Sequence, residues 1–338
     1  MLKAGLIGYG GISKSHRMAY KKLEELGRVK LVCAYDIDPT AFDRKIKINI
    51  DSGSETMQEN YRFYTDLNEM LENETLDFVD ICAPSFVHKE LSCKLLCKGY
   101  HVLCEKPMAL NESDCQEMIL AARENDKKLM IGQCLRFFPE VDYLKDAIAD
   151  KRFGKTLGAF FSRLSPPPIW GWDNWFMDPT RSGGCITDLH IHDVDLVRYL
   201  FGEPEAISCR ASTSICKHDT VHTTFHYGDI PVTAIGDWTL TGMKFNAQAR
   251  FDFEQATVIL AYNHTLTVYP KNGEDSYTLP FERISGQFGE ISYFCDVIEG
   301  KYENTKNPPE SAARTVRTVE LLRESADQAG KTISIIEP

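Results

Sequence analysis

The opening 36 residues constrain the fold more than any other stretch. Ala4-Gly5-Leu6-Ile7 is a short apolar strand that runs into Gly8-Tyr9-Gly10-Gly11-Ile12-Ser13. A helical pattern follows through Leu26, with Met18, Leu23 and Leu26 among its apolar positions. Val29 to Tyr35 reads as a second strand, and Asp36 closes it. Strand, glycine turn, helix, strand and acid, in that order, form the context of a dinucleotide-binding fingerprint. Gly8 permits the tight turn and Gly10 lets the backbone approach a pyrophosphate. Gly11 and Ile12 lead into the helix start, whose amides face the phosphates. Ser13 takes the third glycine position. Asp36, 23 residues beyond Ser13, is placed to accept hydrogen bonds from both ribose hydroxyls. It also repels a 2′-phosphate, and Asp38 adds to that, so NAD is favoured over NADP. The plainer reading of Asp36 is a turn or helix-capping aspartate.

The alternation continues to residue 133. Leu76 to Cys82 is a buried strand, broken by Ala83-Pro84-Ser85. Val87 to Lys98 is helical and stops at Gly99. His101 to Cys104 is a strand, Asn111 to Asp126 a helix, and Lys128 to Gln133 a strand. Strands alternating with helices imply a parallel, doubly wound sheet. Ligands bind such sheets at the loops that follow the strands. Those loops hold Gly8 to Ser13, Asp36, Pro84 to His88, and Glu105-Lys106-Pro107. Pro107 restricts the residue before it to extended geometry, which fixes where Lys106 leaves its strand. A lysine there can hydrogen-bond a substrate oxygen and stabilise developing negative charge. It can equally be a surface lysine paired with Glu105. His88 starts a helix and either lies near the cofactor or is satisfied by backbone.

The totals narrow the function classes. With 38 basic against 49 acidic side chains, the formal net charge of −11 disfavours a broad nucleic-acid footprint. No run approaches the roughly 18 apolar residues of a membrane span. The eleven cysteines mostly sit in strand-like or helix-like apolar runs, which fits reduced thiols used as small hydrophobes. These features, with no secretory pattern at the N-terminus, lead us to expect a cytoplasmic protein.

The densest chemistry is Thr187-Asp188-Leu189-His190-Ile191-His192-Asp193-Val194-Asp195. Read as a strand, it turns Asp188, His190 and His192 one way, like a metal cluster. Read as a helix, it puts Asp188, His192 and Asp195 on one face and turns His190 away. Val194, Val197, Leu200 and Phe201 repeat at helical spacing up to Gly202, which favours the helix.

Four stretches together resemble the Gfo/Idh/MocA family of NAD(P)-dependent oxidoreductases: GYGGI, APSFVH at 83–88, GYHVLCEKPMAL at 99–110, and SGGCITDLHIHDVD at 182–195. The resemblance implies an α/β protein with two domains. Residues 1–133 would be an NAD-binding Rossmann domain. Residues 134–338 would be a substrate-binding and oligomerisation domain on a large, open, mostly antiparallel sheet. It also implies that Lys106 of the Glu-Lys-Pro tripeptide contacts both substrate and nicotinamide. The family's Asp-x-x-x-His pair falls on Asp188 and His192. This chain departs from the family pattern at His190, where a small residue is usual, and at Cys185, where the glycine run is cut short.

The second half supplies further candidates. Trp170, Trp172 and Trp175 stand within six residues of a proline- and glycine-bearing loop. They are either sugar-stacking aromatics or loop packing, and Trp175 matches the family best. Arg163 and Arg181 flank the loop and either hold substrate oxygens or form ion pairs. From Pro204 to Pro270 the pattern is a meander of antiparallel strands whose open face invites self-association into a homodimer or homotetramer. His218, His222, His226 and His264 read as partly exposed residues of that sheet.

The expected activity is reversible hydride transfer between NAD and a secondary alcohol carbon of a sugar or cyclic polyol. His192 would be the general base, Asp188 its orienting carboxylate, and Lys106 the donor to the reacting oxygen. Two other classes remain in view. One is a non-catalytic NAD or sugar sensor on the same fold. The other is a metal-dependent hydrolase using Asp188, His190 and His192. The expectation adopted here assigns no metal.

Overall fold

A computed structural model describes residues 1–43, 60–261 and 265–335. The first sheet contains β1 (Leu2–Ile7), β2 (Val29–Tyr35), β3 (Arg62–Tyr64), β4 (Phe78–Ile81), β5 (His101–Glu105) and β6 (Leu129–Gly132). Their order is β3-β2-β1-β4-β5-β6, and every pairing is parallel. The connecting helices are α1 (Ser13–Glu25), α2 (Leu67–Asn73), α3 (His88–Cys97) and α4 (Glu112–Glu124). The chain runs outward from β1 to β3, then crosses back to β4. The order therefore reverses between β1 and β4, the place where open α/β sheets bind ligands. β4 is buried at every position, including Asp80 at 0% exposure.

The second sheet has nine strands in the order β14-β13-β12-β11-β7-β10-β9-β8-β15. α5 (Pro139–Ala149) precedes β7 (Thr156–Leu164), and α6 (Pro179–Ser182), α7 (Cys185–Asp188) and α8 (Ile191–Phe201) follow it. Next come β8 (Ala206–Ser212), β9 (Thr220–Tyr227), β10 (Ile230–Asp237), β11 (Asn246–Phe253), β12 (Ala256–Ala261), β13 (Leu266–Pro270) and β14 (Tyr277–Leu279). β15 (Ile333–Ser334) ends the described chain. The expected continuous meander is corrected here. β7 lies between β10 and β11, and its parallel pairing with β10 splits the meander into two antiparallel runs. Alternation along β11 is strict: Ala247, Ala249, Phe251 and Phe253 are buried, whereas Asn246, Gln248 and Arg250 are exposed. One face is thus built for packing, and α8 covers part of it, with Phe201 and Phe251 at 6.3 Å between ring centroids.

The chain forms two compact units. The first comprises Met1–Cys134, Ile169–Phe176 and Ser285–Val316, and the second the remaining segments. The sequence suggested a single boundary after residue 133. Two later segments instead return to the first unit. One carries the tryptophans. The other carries α9 (Gly286–Ile298), which packs on α1 and sets Phe294 edge-on to Phe78 at 5.4 Å. Arg28 pairs with Asp296 at 2.7 Å in the same contact. α10 (Pro309–Asp327) follows α9. Among the described residues no helix is long and apolar enough to cross a membrane.

Candidate active site

The glycine turn has the shape a dinucleotide requires. Gly8 has φ +90°, and a Cβ there would stand 2.7 Å from the Ala83 amide and the Cys82 carbonyl. Only glycine allows the β1 and β4 ends to approach so closely. A Cβ on Gly10 would meet nothing within 4 Å, so that backbone is open to approach. Ile12 leads into α1 without a side-chain cap, and no acid stands in the first turn, which leaves the helix start suited to phosphate. Ser13 donates its hydroxyl to the Gly10 carbonyl at 2.7 Å, fixing the turn.

Asp36 is held rather than free. Its Oδ2 accepts the Tyr9 amide at 2.7 Å, and its Oδ1 accepts the Asp38 amide at 2.9 Å. Each oxygen retains a second lone pair for a ligand hydroxyl. The helix-capping alternative belongs to Asp38, whose side chain accepts the Thr40 amide at 2.9 Å. The turn and the acid together fit a dinucleotide.

The Glu105-Lys106-Pro107 loop is pinned from two sides. Glu105 Oε2 accepts the Lys106 amide at 2.9 Å. His88 lies between two carbonyls, Pro107 O at 2.7 Å from Nδ1 and Ala83 O at 2.8 Å from Nε2. Both ring nitrogens thus face backbone carbonyls, as the backbone-satisfied alternative has it. His88 is 1% exposed and ties the loop after β4 to the loop after β5. Burial lowers its pKa, against the two carbonyls that would raise it. Lys106, by contrast, is partly exposed.

The 187–195 stretch is two helices, not one. α7 ends at Asp188, and the Leu189 and His190 amides both bond to the Cys185 carbonyl at 2.9 Å before α8 begins. That kink interrupts the single helix that the apolar spacing suggested. Asp195 is corrected away from the proposed face: it is 1% exposed and takes a bidentate bond from Arg136 at 2.6 and 2.8 Å. Asp193 pairs in the same way with Arg163 at 2.9 and 3.0 Å. Arg163 thus forms a buried ion pair, the second of its two readings. Arg181 forms a partly exposed pair with Asp178 at 3.0 Å.

His190 is fully buried, with Nε2 2.8 Å from Thr223 Oγ1. A Cβ on Gly236 of β10 would come within 3.0 Å of its ring, so the imidazole fills the space that glycine leaves. Burial pushes its pKa down to about 4. The ring is a neutral packing element turned towards β9, which removes the His-x-His ligand pair of the hydrolase reading. Between Ser182 and Arg198 only Asp188 and His192 are partly exposed; all other residues there are buried.

The tryptophan loop is a packed aromatic group. Trp175 is 8% exposed, stacked on Phe176 at 3.9 Å and edge-on to Phe86 at 6.4 Å. Its surface is taken by neighbours, whereas Trp172 is 42% exposed. The stray histidines divide. His222 and His226 are on β9 with partial or full exposure, His218 is buried beside Asp327 at 2.9 Å, and His264 lies outside the described residues.

A model of the oxidoreductase family with an NAD-binding Rossmann fold, GFO/IDH/MocA, matches residues 2–133. The GFO/IDH/MocA C-terminal domain matches residues 141–269. The chain belongs to the Gfo/Idh/MocA family. It is 30% identical over 205 residues to the myo-inositol 2-dehydrogenase of Thermotoga maritima, covering 60% of this chain and 55% of that protein. It is 32% identical over 152 residues to the 1,5-anhydro-D-fructose reductase of Ensifer adhaerens, covering 44% of this chain and 45% of that protein. The chain thus spans about half the length of the curated relatives it matches. A solved structure of a putative myo-inositol dehydrogenase from Sinorhizobium meliloti superposes with TM-score 0.77 at 21% identity, covering 99% of this chain and 100% of that one. At that identity the likeness shows the fold.

Sequence reasoning missed one group near the Gfo/Idh/MocA lysine. Asp80, Glu105 and Glu290 converge on His16 inside the first unit. An acid within the apolar run of β4 and another on the buried side of α9 were the available signals.

Proposed function

We propose that this chain is an NAD-dependent dehydrogenase moving hydride between the nicotinamide and a secondary alcohol or ketone carbon of a sugar or cyclic polyol. The observation that carries the site assignment is the selective opening of Asp188 and His192 within an otherwise buried 182–198 stretch. Burial elsewhere in that stretch has a structural explanation; these two residues retain access to a ligand. Asp36 supports NAD over NADP, because a fixed carboxylate accepts ribose hydroxyls and repels a 2′-phosphate. The substrate class is supported by relatives whose names specify myo-inositol, 1,5-anhydro-D-fructose and glucose-6-phosphate.

When bound, the nicotinamide supplies the hydride chemistry that no side chain can perform. Gly8, Gly10, Gly11, Ile12 and Asp36 would hold the dinucleotide. His192 takes the hydroxyl proton during oxidation, and imidazole is the side chain most often used for this step. Asp188 orients that ring and stabilises its charged form. Lys106 donates to the reacting oxygen, stabilising alkoxide character in oxidation and polarising the carbonyl in reduction. Eleven cysteines with no disulfide among the described residues favour a reducing, cytoplasmic location. The outward face of the nine-stranded sheet is the proposed self-association surface, to be tested by light scattering.

The test is NAD and NADP reduction across a panel of polyols and sugars, with Lys106→Ala and His192→Ala alongside. Both variants should bind NAD by fluorescence and lose turnover. Wild-type turnover in either would refute its role, and NAD binding with no turnover on any substrate would favour a sensor.

A further inference from the structure

Four residues distant in sequence meet inside the first unit: His16 on α1, Asp80 on β4, Glu105 at the end of β5 and Glu290 on α9. All are 0–4% exposed. His16 Nδ1 lies 2.8 Å from Asp80 Oδ2, and Nε2 lies 3.0 Å from Glu105 Oε1. Carboxylates only accept, so each ring nitrogen carries a proton and the ring is an imidazolium. Burial is the largest single influence and opposes that charge, but Asp80 and Cys82 together outweigh it and hold the His16 pKa well above the usual histidine range. Tyr20 donates to the same Asp80 oxygen at 2.9 Å.

Glu290 completes the charge pattern. Its Oε1 is 3.9 Å from His16 Nε2, and neither oxygen has a hydrogen-bond partner among the described residues. Burial pushes its carboxyl well above the carboxylate range, so it is neutral beside the imidazolium and its two anions. Glu105 is the outward link. Its Oε1 faces His16 and its Oε2 accepts the Lys106 amide, so both oxygens are held. Gly132 of β6 closes the other side, where an added Cβ would stand 3.2 Å from the Glu105 carboxyl carbon.

We propose that His16 is a positioning residue for Lys106: its Nε2–H fixes the Glu105 carboxylate, and that carboxylate fixes the backbone from which Lys106 leaves β5. The inference rests on Lys106 as the donor to the reacting oxygen. Without the Nε2–H, Glu105 keeps one tether and can rotate. A shift of about 1 Å in a group that must meet a reacting atom costs about 100-fold in rate. Ligand atoms also converge here in two sets, His16 with Asp80 and Cys82, and His16 with Glu105 and Glu290. The short contacts from both ring nitrogens to carboxylates favour the protonated ring over a metal ligand.

Two substitutions separate positioning from mere packing. Asparagine places its amide near Nδ1 and keeps the Asp80 contact, whereas glutamine reaches the Nε2 position and keeps the Glu105 contact. Lysines are dimethylated with carbon-13 formaldehyde, and the Lys106 resonance is identified by its loss in Lys106→Arg. In His16→Asn that resonance moves and kcat falls about 10- to 100-fold, with NAD affinity unchanged. His16→Gln restores the resonance and recovers most of kcat. Equal loss in both variants, or no shift in His16→Asn, overturns the proposal. Stoichiometric zinc or manganese in the purified protein that is lost in Glu290→Gln overturns it too. Should His16→Asn fail to fold, Glu105→Gln offers one oxygen to two donors and should move the same resonance; an unmoved resonance overturns the proposal. If Lys106→Ala turns over normally while His16→Asn still moves the resonance, the positioning stands and the catalytic reading of Lys106 fails.

Discussion

Within Asp188–Asp195 five ionisable side chains stand in eight residues, and the fold separates them. Asp193 goes to Arg163, Asp195 to Arg136 and His190 to Thr223, while Asp188 and His192 stay partly open. Around His16 the reverse holds: residues 16, 80, 105 and 290 come from four elements and make one buried group. Each region buries a histidine, and the two carry opposite charge states. His16, between two carboxylates, is an imidazolium, and His190, against a threonine and a glycine, is neutral. Crowding along the chain scatters groups around a helix, roughly 100° per residue. Crowding in space arises where strand ends and helix faces meet.

The largest effect should separate the two histidines of the motif. His192→Ala is expected to lower kcat by about 10²- to 10⁴-fold with little change in thermal midpoint. His190→Ala, which empties a packed site, should instead cost about 2–5 kcal/mol of stability by denaturant unfolding. Equal catalytic loss in both, without destabilisation, would break the distinction.

Next in size is the buried Arg136–Asp195 pair. Arg136→Ala leaves a buried, uncompensated carboxylate and should cost about 3–5 kcal/mol, measured by urea unfolding. A cost under about 1 kcal/mol would mean that Asp195 is not held inside as described.

The pH dependence of stability sharpens the comparison further, because the two buried histidines should act in opposite directions. The folded pKa of His190 lies below its unfolded value, so the unfolded chain binds more protons and acid destabilises. From 6.5 down to about 4 this costs roughly 3 kcal/mol. His16 has a raised folded pKa, so its contribution is full below about 6.5 and is lost as pH rises through the folded value. The slope is roughly 1.4 kcal/mol per pH unit in that window. The raised Glu290 carboxyl slopes the same way as His16, over a window that begins near its ordinary value of 4.5. Unfolding curves across pH should therefore lose part of their acid limb in His190→Gln and part of their alkaline limb in His16→Gln. Unchanged limbs would contradict these protonation states.

The smallest effect is expected at Arg181, whose pair with Asp178 is partly exposed. Arg181→Gln should change stability by less than about 1 kcal/mol. A large rise in KM without a stability change would support Arg181 as a substrate-binding residue.

Much of the first sheet was legible in the sequence because each signal was local. The glycine turn, the acid closing β2 and the strand–helix alternation each lie within about 30 residues. The helix that begins at Ile191 was legible through the spacing of Val194, Val197 and Leu200. The partners of Asp195 and Asp193 were not, since Arg136 and Arg163 lie 59 and 30 residues away. Nor did any local pattern show that β7 would sit between β10 and β11, or that α9 would pack on α1. Such pairings are decided by burial across the whole chain. The kink at Leu189 and His190 leaves no mark in the sequence, because the apolar spacing on either side stays helical.

The proposed chemistry depends on Lys106, at the end of β5, handling the reacting oxygen. The most direct measurement is NADH formation by wild type and Lys106→Ala on the best substrate from the polyol and sugar panel, with NAD binding followed in parallel. In Lys106→Ala kcat should fall by about 10²-fold or more, with NAD bound as in wild type. Turnover by Lys106→Ala within a few-fold of wild type would contradict it.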